Sequence, residues 1–237
     1  MTWLSRTCFS ILLTAQVRAG IVAGEFELTG SREASVVKLK DYSGVVVWLE
    51  PVSGAAPIAT RRTFTINQKG KRFIPHVVVM PQGSELAFPN NDPIFHNAFS
   101  TFSGQPFDTG LYPPGGTQKV VFRRAGIVRV FCNIHSNMSA VVVVTPSPWF
   151  AVSDKDGRFN IQNVPPGEYV LKIWHERSTD TVMKAVERRL RVGDSGTPIG
   201  RVPVSEAGHV GLPHKDKYGK EYPAVPNERM LYPGGGD

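Results

Sequence analysis

From residue 20 onwards the apolar segments of this chain are short, rich in Val, Ile and Phe, and closed at each end by Gly, Pro, Asn or Asp. That punctuation constrains the fold more than any other feature. β-Branched side chains suit a pleated, half-buried surface, and the closing residues supply turns. The segments read as strands are Gly24 to Gly30, Val45 to Leu49, Phe64 to Ile66, Phe73 to Met80, Ser84 to Phe88, Gln118 to Phe122, Ile127 to Cys132 and Ser139 to Thr145. Within the last, Val141 to Val144 is an unbroken β-branched run. Helical periodicity is weak throughout; Val182 to Val192 comes nearest to it and is still read as strand. With 23 Gly, 19 Pro and 41% hydrophobic residues, the expectation is an all-β, turn-rich protein with a real core.

A second pattern begins after Pro146. Asp154-Lys-Asp156-Gly157 predicts a tight turn, because Asp-Gly supplies the positive backbone angle a hairpin needs. Arg158-Phe-Asn-Ile161 follows, then Val164-Pro-Pro-Gly167 turns into a strand on which Tyr169, Leu171 and Ile173 share one face. These motifs resemble the transthyretin-like, carboxypeptidase-regulatory type of β-sandwich. Such sandwiches open with a Gly-led and a Val-rich strand, and the segments at Gly24 and Val45 fit those places. The resemblance implies a discontinuous sandwich, residues 20–58 with 147–206, and residues 59–146 inserted as a separate domain. The alternative is that the early strands join the middle domain. Residues 207–237, rich in Gly, Pro, Lys and Tyr, read as an irregular tail in which His209 and His214 are solvated.

The first nineteen residues stand apart. Arg6 ends a short basic start, Cys8 to Val17 is a mainly apolar run, and Val17 and Ala19 fit the small-residue rule of signal-peptide cleavage. A membrane anchor needs roughly 20 apolar residues, so export to the periplasm with cleavage near Ala19 is expected, and no later segment is long and apolar enough to span a bilayer. Of two cysteines, the mature chain then keeps only Cys132. A lone cysteine in an oxidising compartment is a buried thiol, an intermolecular link or a metal ligand. Losing Arg6 and Arg18 takes the 27 basic residues to 25 against 20 acidic ones, and the charge from +7 to +5. No Lys/Arg block is interleaved with aromatics, so nucleic acid is not an expected partner.

Val128-Arg-Val130-Phe-Cys132-Asn-Ile-His135-Ser-Asn-Met138 concentrates the chemistry. Val128, Val130 and Cys132 share a strand face, and a tight loop then presents His135 and Met138. One thiolate, one imidazole and one thioether on a single loop suit copper, with a second imidazole completing a trigonal set and Met138 as weak axial ligand. His96, in Phe88-Pro-Asn90-Asn-Asp92-Pro-Ile-Phe-His96-Asn97, is the candidate for it. Taken singly, Cys132 also reads as a small buried hydrophobe and His135 as a capping residue. Zinc is the rival metal, but it favours four strong donors and gains little from a thioether.

Here the sequence resembles the plastocyanin-like cupredoxins, with the Cys132-x-x-His135-x-x-Met138 spacing of the amicyanin type. The frame of Phe73, Pro75, Gly83, Phe88, Asn90, Asp92, His96 and Asn97 is also similar, over residues 62–145. The whole arrangement resembles periplasmic proteins labelled methylamine-utilisation proteins. The resemblance implies a Greek-key β-sandwich holding one Cu(I)/Cu(II) ion through His96, Cys132, His135 and Met138, with Asn97 tying its loop to the cysteine loop. It also implies one-electron transfer with a redox partner such as a cytochrome or periplasmic dehydrogenase. In that family the imidazole corresponding to His135 lies near the surface, and Ile134 with Pro113 or Pro114 would form the docking patch. Copper storage or delivery, and a non-catalytic interaction module, are the alternatives.

An enzyme is not expected. Six histidines include no His-x-His pair, and no nucleophile elbow, phosphate loop or zinc-protease helix occurs. His76 reads as a core or interface histidine and His175 as packing at a domain junction. Tyr112 and Phe107 either wall the metal site or fill loop space.

Overall fold

The computed structural model describes residues 19–101, 105–211 and 214–222. The expected signal peptide therefore lies outside the described residues, apart from Ala19, as does the end of the chain from 223. The chain opens with β1 (Gly20–Thr29), the helix α1 (Ala34–Leu39) and β2 (Val46–Pro51). Next come β3 (Thr63–Thr65), β4 (Asn67–Gln68), β5 (Phe73–Ile74), β6 (Val77–Pro81) and β7 (Glu85–Pro89). β8 (Phe99–Ser100), β9 (Phe107–Asp108), β10 (Thr117–Val121), β11 (Gly126–Phe131) and β12 (Ser139–Thr145) follow. The last part holds β13 (Phe150–Val152), β14 (Arg158–Val164), β15 (Gly167–Trp174), α2 (Asp180–Val186), β16 (Arg188–Val192) and β17 (Thr197–Ser205). The fold is all-β.

Among the described residues the larger sheets have strand orders β14-β1-β17, β13-β2-β15-β16, β6-β12-β11-β8-β9 and β10-β7-β3, beside a β4-β5 ribbon. The first two enclose one core, where Val22, Phe26 and Ile161 meet Val47, Leu49, Leu171 and Ile173. The third and fourth enclose a second core, built from Val128, Val130, Val142 and Met80 against Leu86, Phe88 and Phe122. Between these two sandwiches lies a third cluster, with Val46 and Trp174 packed with Val79, Val141 and Val143.

That stacking accounts for the unbroken valine run. Val142 and Val144 point into the second core, while Val141 and Val143 point into the third. A strand covered on both faces loses the apolar–polar alternation of a strand with one wet face. β2 does the same, with Val47 and Leu49 in the first core and Val46 in the third. β2 pairs with β13 and β15, and β1 with β14 and β17; neither pairs with a strand of residues 63–145.

The Asp154–Gly157 turn closes with Gly157 N–H donating to the Asp154 carbonyl at 2.9 Å. Gly157 has φ +81, and a Cβ there would lie 2.0 Å from the Phe26 carbonyl oxygen, so only glycine lets this turn press against β1. Tyr169, Leu171 and Ile173 are all buried in the first core.

Two strand expectations need correction. Val182 to Val192 is not one strand: it holds most of α2 and then β16. Thr179 caps the helix by accepting the Val182 N–H at 3.4 Å, Asp180 stands in its first turn, and Met183 is its buried residue. Glu187 returns to extended backbone, and β16 then pairs with β15. Phe73 to Met80 is likewise two strands, β5 and β6, interrupted at Pro75, which lacks the N–H that a continuous ladder needs. No helix among the described residues is long and apolar enough to cross a membrane.

Candidate metal centre

β11 delivers Cys132. Its inward positions Val128 and Val130 are fully buried, and the next inward side chain is the equally buried Cys132, just past the strand end. A loop then reverses the chain. Cys132 N–H donates to the Met138 carbonyl at 3.1 Å, and Met138 N–H donates to the His135 carbonyl at 3.0 Å. β12 starts at Ser139, directly paired with Phe131. Cys132 and Met138 are thereby brought opposite each other in one core, with His135 between them in the loop.

His96 comes from the loop after β7. Asn90 shapes that loop, accepting the Asp92 N–H at 3.1 Å and donating to the Ile94 carbonyl at 2.8 Å. His96 and Tyr112 exchange backbone hydrogen bonds of 3.3 and 3.0 Å. Tyr112, buried, donates its hydroxyl to the Phe88 carbonyl at 2.8 Å and meets the Gln68 amide. Tyr112 is thus both a wall and a brace of the site.

The three side chains converge. Cys132 Sγ lies 3.9 Å from His96 Nδ1 and 3.8 Å from His135 Nδ1, and the three donor atoms are mutually within 4.8 Å. Among the described residues this is the one group of three or more His, Cys, Asp and Glu able to hold a metal ion. The two imidazole rings meet edge to face, centroids 4.9 Å apart. His96 Nε2 sits 2.9 Å from Asp92 Oδ2. Donation of the Nε2–H to that carboxylate leaves the Nδ1 lone pair turned towards the sulfur, the usual way a neighbouring group fixes a ligand's tautomer. Asp92 also accepts the Gly70 and Lys71 N–H groups at 2.6 and 2.8 Å.

Burial pushes the Asp92 carboxyl up, but the Lys71 and Gly70 amides and His96 outweigh it and hold the group below its ordinary value. Burial lowers His96, partly offset by Asp92. Burial raises the Cys132 thiol, opposed by N–H groups of Asn97, Ile134 and His135 aimed at the sulfur. A sulfur that is sealed from water yet ringed by N–H donors is suited to be a thiolate once a cation neutralises it. Thiolate, two imidazole nitrogens and a buried thioether on Met138 fit a copper ion better than zinc.

The Asn97 Oδ1 accepts the Asn133 N–H at 2.7 Å, and its Nδ2 donates to Asp108 at 3.2 Å. Two expectations fail. Ile134 is buried in the second core and forms no surface patch, because the loop turns it inward beside Cys132. His214 is not solvated: it is half-buried, stacks on Phe131 with centroids 4.0 Å apart, and reaches the Ser136 carbonyl with Nε2 at 2.7 Å. His209 is exposed. His76 lies between the sandwiches, 2.6 Å from Glu176, which also pairs with Arg129. His175 is buried beside Glu206, and burial drops it to about 4. Phe107 packs on Phe88 and Phe122, filling core space. The role of Asp92 was missed, although its place four residues before His96 is the signal that marks it.

No protein-family model matches the chain, and no curated protein does either. Among solved structures, the Cu-containing nitrite reductase from Thermus scotoductus is similar over 40% of this chain, with 24% identity and a TM-score of 0.34. The chain spans a quarter of that reductase, 25% of its length. A purple cupredoxin from Nitrosopumilus maritimus is similar over 35% of this chain and 99% of its own, at 21% identity and TM-score 0.32. A Cu(I) amicyanin variant is similar over 41% and 99%, at 15% identity and TM-score 0.34.

Proposed function

We propose that His96, Cys132, His135 and Met138 hold one copper ion, and that the protein passes single electrons between periplasmic partners. The observation that carries this reading is the buried convergence of His96 Nδ1, Cys132 Sγ and His135 Nδ1. Bound there, copper would supply a Cu(I)/Cu(II) couple in a donor set acceptable to both oxidation states. The chain's own residues do the rest. Asp92 fixes the His96 tautomer, Asn97 ties the two ligand-bearing loops, and the core around Cys132 and Met138 excludes water. Rigid donors keep reorganisation small as the charge changes.

Burial of His96, Cys132, His135 and Met138 supports electron transfer over copper delivery, which calls for an accessible ion. Residues 59–146 form the copper-binding unit in this reading, inserted in a sandwich made from 20–58 and 147–206. The redox partner, a cytochrome or dehydrogenase, docks near Leu111, Pro113 and Pro114, exposed beside the Tyr112 that pairs with His96.

The test is the visible and paramagnetic resonance spectrum of chain 20–237 loaded with Cu(II), beside Cys132→Ser. An intense thiolate-to-copper band with narrow copper splitting, lost in the variant, is expected. A pale spectrum unchanged by the substitution would remove Cys132 from the ligand set and the proposal with it.

A further inference from the structure

Residues 214–222 carry no strand or helix, yet they are held against the rest of the chain. Asp216 N–H donates to the Lys220 carbonyl at 2.9 Å, and Gly219 N–H to the Asp216 carbonyl at 3.0 Å. The Asp216 carboxylate accepts the Tyr218 and Lys220 N–H groups at 2.9 and 2.8 Å. Residues 216–220 are therefore a closed turn with its own hydrogen bonds. Gly219, at φ +77, takes the left-handed position such a turn requires.

This turn is seated on the ligand loop. Two of that loop's carbonyls and one of its side-chain oxygens face the C-terminal segment, and each finds a donor there. The Tyr222 hydroxyl donates to the Cys132 carbonyl at 2.7 Å, His214 Nε2–H to the Ser136 carbonyl at 2.7 Å, and Lys217 N–H to Asn133 Oδ1 at 3.0 Å. The His214 ring lies flat on Phe131 and takes the edge of Tyr222 at 5.1 Å. Contacts thus fall on residues 131 to 133 and 136, on both sides of His135. Lys217 Nζ extends the grip to Asp108 at 2.6 Å, whose other oxygen accepts the Asn97 amide at 3.2 Å. Asn97 returns to the loop through the Asn133 N–H. The hydrogen bonds form a closed ring: Lys217, Asp108, Asn97, Asn133 and back to Lys217.

We propose that residues 214–222 are a positioning strap for the copper-ligand loop, in which His214, Lys217 and Tyr222 hold Cys132 and His135 at their mutual distance and slow loss of the ion. The inference rests on the copper reading above. It differs from a general stabilising role because its backbone and amide contacts fall on the ligand loop itself, at the Cys132 and Ser136 carbonyls and the Asn133 side chain. Groups that orient metal ligands from outside typically change metal affinity by about 10- to 100-fold when removed.

The experiment compares chain 20–237, a chain ending at Gly211, Tyr222→Phe, His214→Ala and His214→Gln, each loaded with Cu(II). The rate of Cu(II) transfer to EDTA is followed by the thiolate-to-copper band. The copper hyperfine splitting and the apo-protein circular dichroism are recorded alongside. Expected is loss of copper about 10- to 100-fold faster in the truncated chain, and faster in Tyr222→Phe and His214→Ala. The band should shift while the apo spectra match the full chain. His214→Gln, whose amide can still donate to the Ser136 carbonyl, should recover part of the lost retention. If the truncated chain fails to fold, Tyr222→Phe and His214→Ala decide. Equal transfer rates and identical bands in full and altered chains would overturn the strap while leaving the copper reading intact. No thiolate band in the full chain itself would overturn both.

Discussion

Asn97 offers the sharpest check on how the loops that carry His96 and Cys132 are joined. Replacing it by Ala removes the acceptor of the Asn133 N–H and the donor to Asp108 in one step. Both bonds are part-buried, so neither reaches the full cost of sealing a polar group from all water. A part-buried N–H left without its 2.7 Å partner costs about 1 kcal/mol. The bond to the Asp108 carboxylate is charge-assisted, but that carboxylate keeps Lys217 and the Gly110 N–H, so its loss costs about 1 kcal/mol as well. The sum of about 2 kcal/mol should lower the melting temperature by about 4–8 °C. Copper-loaded protein should lose more, since a tenfold weaker site adds about 1.4 kcal/mol at saturating metal. Asn97→Asp should be no better than Ala: it keeps an acceptor for Asn133 but sets a second carboxylate against Asp108. Urea unfolding followed by circular dichroism, with and without Cu(II), measures both effects. Asn91→Ala is the control, because Asn91 is exposed and should change stability by no more than about 0.5 kcal/mol. Equal unfolding midpoints for Asn97→Ala and Asn91→Ala, metal-free and loaded, would refute the tie between the loops.

Three further outcomes are expected. Asp92→Asn should weaken copper binding by about 10- to 100-fold in a competition titration, because a neutral amide can turn either its carbonyl or its NH2 to His96 Nε2 and so no longer selects one tautomer; unchanged affinity would remove Asp92 from that role. The His76–Glu176 pair makes stability pH-dependent. Its hydrogen bond to Glu176 raises His76 above 6.5, so that contribution is complete below pH 6.5 and fades as pH rises through the raised value. Glu176 is lowered, burial being outweighed by His76, Arg129 and Arg177, so its contribution is present above 4.5 and fades as pH falls through the lowered value. Unfolding midpoints of His76→Gln should therefore lack the decline of the parent above pH 6.5, and parallel curves would sink this account. Trp174→Ala empties part of the cluster between the sandwiches and should cost about 3–5 kcal/mol. It should also separate copper-band loss from Trp fluorescence change during melting, and a single coincident transition at the parent temperature would contradict it.

Much of this was legible in the sequence, for reasons that can be named. Cys132, His135 and Met138 sit on one short loop, so local spacing alone brings them together. His96 was reachable because a single histidine lies between the β7 segment and β8. The valine run at 141–144 marked a strand, but its two covered faces became apparent only with β2 and β15 stacked on it. α2 was missed because seven residues make two turns, too few for helical periodicity to stand out from the adjoining β16. Thr179 and Asp180 were the available signs. The grip of residues 214–222 left no periodic trace at all. Its contacts run from Tyr222 to Cys132 and from His214 to Ser136, pairings that only the folded chain creates.

The antiparallel pairing of β2 with β13 bears on the order of folding. Leu49 N–H donates to the Trp149 carbonyl, and Trp48 faces Phe150, as in an ordinary hairpin. Here the hairpin's connection holds β3 to β12, the strands around the second core. Closing a loop of about 100 flexible residues, against about 4, costs about 3 kcal/mol more in chain entropy. That handicap disappears if the intervening segment has already collapsed, because its two ends then emerge side by side. The inner sandwich would act as the nucleus that lets the outer one zip shut, and slow folding of the first should delay the second.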